Sequence, residues 1–177
     1  IAFGMTFVIL TGGIDLSVGA ILALSGAVTA SLLAAGVDPV LAIALGLIIG
    51  TGLGAINGLI ISKGKVAPFI ATLATMTIFR GATLMFTDGK PITGLGDSAF
   101  FQMIGGGYFF GIPMPAITML VSFVILYMVL KKTTFGRRVY AVGGNEEASI
   151  LSGIKVDRIK IYVYSLTGFL AAVAGVI

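Results

Sequence analysis

Apolar runs long enough to cross a bilayer decide what this chain can be, because hydrocarbon offers backbone amides no partner and a crossing helix needs roughly 20 residues. Six such stretches follow one another, near residues 1–13, 17–35, 39–61, 66–87, 115–130 and 159–177. The first and last run into the chain ends, so the expected fold class is all-α: a polytopic transmembrane helical bundle, one domain truncated at both ends. The first stretch has neither a basic start nor a small-residue cleavage site, which argues for the tail of a span rather than a signal peptide. Barrel strands are excluded, since they would alternate polar and apolar residues.

Composition agrees: 58% of residues are hydrophobic and 10% charged, with a mean hydropathy of +1.13. The chain has no cysteine, histidine or tryptophan. That removes disulfides, thiol chemistry, imidazole catalysis and the usual transition-metal ligands, so neither a catalytic residue nor a metal nor a cofactor is expected within it.

The formal charge of +4 is less informative than its placement. Lys63 and Lys65 occupy one loop, and Lys131, Lys132, Arg137, Arg138, Lys155, Arg158 and Lys160 lie in or beside another two spans later. The opposite loops hold Lys90 as their single basic residue, beside Asp38, Asp88 and Asp97. Basic residues mark the cytoplasmic side, so both basic loops face the cytoplasm, and contact with lipid rather than nucleic acid is expected.

Within the spans, Gly46, Gly50, Gly54 and Gly58 recur every four residues and align on one helix face, which allows close backbone approach. Gly19, Ala23 and Ala27 form a weaker stripe, and Gly168 with Ala172 another. Tight intramolecular packing is the first reading of these, with a dimer interface or a flexing pathway wall as the rival.

Two polar features interrupt the apolar pattern. Asp15 follows the helix-breaking Gly12 and Gly13, and Asp15 or Ser17 can cap the amides opening the next helix or line a polar break on the pathway. Arg80 sits inside the 66–87 stretch and either reaches the outer interface along its stem or faces an aqueous cavity, sharing its helix with Phe69 and Thr72 as candidate pathway residues. The threonines of that helix read chiefly as hydroxyls bonded to their own backbone. Outside the membrane, Phe100, Phe101, Tyr108, Phe109 and Phe110 suit an interfacial anchor or an external docking loop.

The segment 131–158 is the longest cytoplasmic one and encodes a short helix. Asn145 can cap it, Glu146 and Glu147 suit its positive start, Ala148 to Ser152 continue it, and Gly153 can end it in a left-handed conformation. Physically it could be a lever for a partner protein or an interfacial helix lying on headgroups.

Here a resemblance discriminates. Asn145-Glu146-Glu147-Ala148 with Gly153 downstream resembles the coupling loop of permeases of bacterial ATP-binding-cassette importers, and Thr134-Phe135-Gly136-Arg137 with Tyr140-Ala141-Val142-Gly143-Gly144-Asn145 resembles the phrase preceding that loop in their monosaccharide branch. Leu10 to Gly19, and Phe69-Ile70-Ala71-Thr72-Leu73 leading to Arg80-Gly81, resemble the ribose permease subfamily. The resemblance implies a multi-pass permease in the bacterial inner membrane, paired with a second copy as a homodimer, fed by a periplasmic sugar-binding protein and driven by a separate cytoplasmic ATPase that binds the ATP. It implies ATPase contact through Gly144, Asn145, Glu146, Glu147, Ala148 and Gly153. Ribose is the nearest sugar. Other sugars, furanose-like signalling sugars and branched-chain amino acids are the alternatives, and an ion-coupled secondary transporter or channel is the rival of a different class.

Overall fold

A computed structural model describes residues 1–93, 105–109 and 111–177. Phe100, Phe101, Phe110 and Asp97 of the outer segment lie outside the described residues. Eight helices are present among those described: α1 (Ala2–Leu10), α2 (Val18–Ala34), α3 (Pro39–Ser62), α4 (Pro68–Thr87), α5 (Met114–Lys132), α6 (Thr134–Gly144), α7 (Glu146–Leu151) and α8 (Val156–Val176). A small antiparallel hairpin, β1 (Tyr108–Phe109) and β2 (Ile112–Pro113), precedes α5, with Tyr108 and Phe109 exposed.

Four helices, α3, α4, α5 and α8, are long and apolar enough to cross a membrane. Of the six expected spans the other two are 1–13, whose helix α1 has 9 residues, and 17–35, whose helix α2 has 17 and falls short of the four. Its start is delayed by the buried turn at Asp15 to Ser17, and Gly36 ends it at φ +80°. Asp38 then caps α3, its carboxylate accepting from the Val40 and Leu41 amides at 3.0 and 3.1 Å, and Pro39 occupies the first turn, where its missing N–H leaves no gap.

The segment 131–158 is more structured than a loop with one short helix. Lys131 and Lys132 finish α5, a second amphipathic helix α6 fills 134–144, and α8 begins at Val156 rather than at Ile159. Thr133 makes the α5–α6 corner: its hydroxyl donates to the Val129 carbonyl at 2.5 Å and accepts from the Gly136 amide at 3.2 Å. Gly136 is glycine for a steric reason, since a Cβ there would strike the Leu130 backbone, and a Cβ on Gly143 would strike the Leu10 carbonyl where α6 crosses the end of α1.

The bundle is organised on α3 and α8, which share the most extensive contact and run antiparallel. Gly46, Gly50, Gly54 and Gly58 are all buried. A Cβ on Gly58 would lie 2.7 Å from Ile161 Cα, one on Gly54 would strike the Tyr164 carbonyl, and one on Gly50 would stand 2.9 Å from the Gly168 carbonyl. The stripe thus packs within the chain, against Gly168 and Ala172 of α8 and, through Gly46, against Thr29 of α2. In lipid, such close approach supplies van der Waals contact where burial of apolar area gives no driving force. The Gly19, Ala23, Ala27 stripe does not serve this purpose. Gly19 is open, and α2 instead buries Ala20, Ile21, Ser25 and Thr29, with Gly26 against the Gly175 backbone. The hydroxyls of Thr72, Thr77 and Thr83 donate to carbonyls three or four residues back in α4.

Candidate functional site

Two places combine polar chemistry with defined geometry: the break between α1 and α2, and the face formed by α6, α7 and the start of α8.

At the break, Gly12 takes φ +74° and the chain turns through Ile14 to Ser17 before α2 begins. Asp15 and Ser17 are 1% and 0% exposed. Asp15 Oδ1 accepts from the Ser17 amide at 2.9 Å and from the Ser17 hydroxyl at 2.6 Å. The same hydroxyl accepts from Asn57 Nδ2 of α3 at 2.7 Å. The resulting chain, Asn57 to Ser17 to Asp15, uses both the donor and an acceptor of one hydroxyl, an arrangement in which each bond polarises the next. Neither Asp15 Oδ2 nor Asn57 Oδ1 has a hydrogen-bond partner, and no cationic side chain among the described residues pairs with Asp15.

Other helices reach the same turn. The Tyr164 hydroxyl of α8 donates to the Ile14 carbonyl at 3.3 Å, and that of Thr72 lies 3.4 Å from the same oxygen while donating to Pro68 at 2.8 Å. At 1.5 Å per residue, Thr72, Asn57 and Tyr164 stand about 6, 8 and 12 Å inside the ends of their helices that adjoin the basic segments 63–65 and 131–158, so the cluster belongs to that half of the bundle. Asp15, Ser17 and Thr72 are thereby brought together. Phe69 and Arg80 are not, for both are exposed on α4, and Arg80 has no hydrogen-bond or ion-pair partner among the described residues.

On the second face, Asn145 caps α7, its side-chain oxygen accepting from the Ala148 amide at 2.9 Å, and Glu146 and Glu147 occupy the first turn. Gly153 closes the segment at φ +79°. Gly144, Asn145, Glu146, Glu147, Ala148 and Gly153 are all exposed. Glu146 has a partner within the chain: Lys160 Nζ of α8 donates to both its oxygens at 2.8 Å. Leu151, at 89% exposure, is a large apolar residue displayed away from the membrane-spanning helices. The two basic loops converge here, as Lys65 stands 3.9 Å from Asp157 and a cleft of about 490 Å³ is lined by Lys63, Lys65, Lys155 and Arg158 with Glu146.

Asn57, Tyr164, Lys160 and Leu151 were not picked out from sequence. Asn57 carried a usable signal, a carboxamide inside a 24-residue apolar helix. The others needed their partners in view.

The family model described as branched-chain amino acid transport system / permease component matches residues 1–177. Over 177 residues, all of this chain, it is 70% identical to the ribose import permease protein RbsC of Bacillus subtilis (strain 168), covering 55% of that protein. It is 54% identical to the ribose import permease protein RbsC of Haemophilus influenzae, again over 100% of this chain and 55% of the relative. It is 44% identical to the D-allose transport system permease protein AlsC of Escherichia coli (strain K12), over 100% of this chain and 54% of that one. The chain therefore spans about half the length of the curated relatives it matches. No solved structure matches.

Proposed function

The chain belongs to the branched-chain amino acid transport system / permease component family, and from that premise we propose that it is part of a permease subunit that imports ribose across the bacterial inner membrane at the expense of ATP. The observation that carries this reading is the grading of identity by cargo: 70% and 54% to ribose import permeases, against 44% to a D-allose permease and 40% to an L-arabinose permease. The permease itself hydrolyses nothing. A cytoplasmic ATPase binds the ATP, a periplasmic binding protein delivers the sugar, and a second permease copy completes the pathway.

In this reading α7 is the surface on which the ATPase docks. Movement of that helix on ATP binding is passed to rigid spans, which switch the pathway between outward and inward access. Exposure of Glu147, Ala148 and Leu151 beside one another supports it, because a leucine displayed to water on a short helix gains from burial in a partner. Burying such a side chain is worth about 1.5–3 kcal/mol, so Leu151→Asp should weaken retention of the ATPase at least tenfold in co-purification of the full complex.

Gly153→Val gives a second expected outcome. A β-branched residue at φ +79° is strained, so the end of α7 should reorganise and ATP hydrolysis should no longer drive sugar uptake. Uptake unchanged in that variant would remove Gly153 from the coupling surface. The reading as a whole is tested by reconstituting the full-length protein with its ATPase and binding protein and measuring uptake of a panel of ribose, allose, arabinose and branched-chain amino acids. Uptake that ignores ATP, as an ion-coupled carrier would show, overturns it.

A further inference from the structure

Resting on the importer reading, we infer that Lys160 is a positioning residue that ties α7 to the membrane-spanning α8, so that displacement of the cytoplasmic helix is delivered to the break between α1 and α2.

A six-residue helix has little stability of its own and moves with whatever holds it. In α7 only Ser149 is buried, and its hydroxyl bonds the carbonyl of Asn145 in its own cap. The Asn145 and Ser152 side-chain bonds are equally local. Among the described residues, the one side-chain bond that joins α7 to a membrane-spanning helix is the pair formed by Glu146 and Lys160. It is bidentate at 2.8 Å, with the lysine side chain 19% and the glutamate side chain 45% exposed.

The placement of Lys160 gives the pair its reach. Lys160, Tyr164, Gly168 and Ala172 are spaced four apart and share one face of α8. One turn beyond Lys160, Tyr164 donates to Ile14 in the break, and two turns beyond, Gly168 meets Gly50 and Gly54 of α3. A cavity of about 180 Å³ is lined by Glu146, Lys160, Thr11, Gly12, Gly13 and Tyr164. The pair, the break and the helix that connects them thus surround one space, and a pull on Glu146 acts along the face of α8 that contacts both the break and α3. Glu146, read from sequence as an ATPase contact, is in this inference the residue that holds α7 in register with α8.

The test reads ribose taken up per ATP hydrolysed in proteoliposomes containing the full-length permease, its ATPase and its binding protein, with ATPase retention measured in each variant. Lys160→Met should lower that ratio at least fivefold, the lower end of an ordinary coupling energy, while the ATPase stays bound. Lys160→Arg keeps the charge and should keep most of the coupling. The exchange Glu146→Lys with Lys160→Glu should restore the ratio well above that of Lys160→Met. An unchanged ratio in Lys160→Met overturns the inference. So does an exchange variant that inserts and binds the ATPase yet stays at the Lys160→Met ratio, the result expected if Glu146 touches the ATPase itself. Should Lys160→Met fail to insert, the contrast between the arginine and exchange variants decides in the same way. Wild-type uptake that does not depend on the ATPase would instead overturn the importer reading, before any variant is made.

Discussion

Adding one methyl group at Gly54 should destabilise the full-length protein by about 3 kcal/mol, the upper end of what overpacking a filled interface costs, whereas the same change two residues away at Gly52 should be neutral or mildly stabilising. The difference is geometric. A Cβ on Gly54 would strike the Tyr164 carbonyl and come within 3.1 Å of Gly168 Cα, backbone atoms that cannot step aside without moving α8. A Cβ on Gly52 meets nothing within 4 Å. Thermal or SDS-titration unfolding of Gly54→Ala and Gly52→Ala in the same detergent would measure both. Equal stability of the two would mean that α3 and α8 are not packed backbone to backbone. Because Tyr164 also holds the break through Ile14, the Gly54 variant should lose transport activity beyond its loss of stability.

Removing the Ser17 hydroxyl is the other large effect. Ser17→Ala deletes the 2.6 Å bond to Asp15 and leaves the Asn57 amide without its acceptor, both in a buried setting. A buried hydrogen bond contributes about 0.5–1.5 kcal/mol and an orphaned buried donor costs about 1–3 kcal/mol, so the expected loss is about 1.5–4.5 kcal/mol. Asn57→Ala alone should cost less, since Ser17 keeps its bond to Asp15. The two should not add: once Ser17 is alanine, the Asn57 amide has no acceptor to lose, and the double variant should sit near Ser17→Ala. Strict additivity in a double-mutant cycle would show that the three residues do not act as one network.

Particular residues show where sequence reasoning reached and where it stopped. The glycines of α3 were readable because helical geometry alone puts residues four apart on one face. Asn145, Glu146 and Gly153 were readable as a cap, a charged first turn and a left-handed stop, since these are interactions within one turn of chain. Helix α6 was missed because its glycines and arginines suggest a loop, while its stability comes from Thr133 at one end and from the approach of Gly143 to Leu10. Asp15 showed itself as an acidic residue beside a helix break, but not as the end of a chain of bonds through Ser17 to a side chain 40 residues on. Phe69 and Thr72 stood three residues apart in one motif, and only the way α4 packs left one exposed and the other buried.

What the sequence determined by itself is what a bilayer reads one segment at a time: that the chain crosses the membrane repeatedly, which loops carry the basic residues, and where local caps and stops fall. Those properties depend on hydrocarbon thickness, on where lysine and arginine fall, and on caps made by near neighbours. The tertiary structure alone decided that Asp15, Ser17 and Asn57 form one network, that Tyr164 closes on Ile14 from 150 residues away, and that Glu146 is held by Lys160. Lipid does not discriminate among apolar helix faces, so those pairings are set by shape, by which glycines admit a neighbouring backbone and at what height along α3 and α8 they do so.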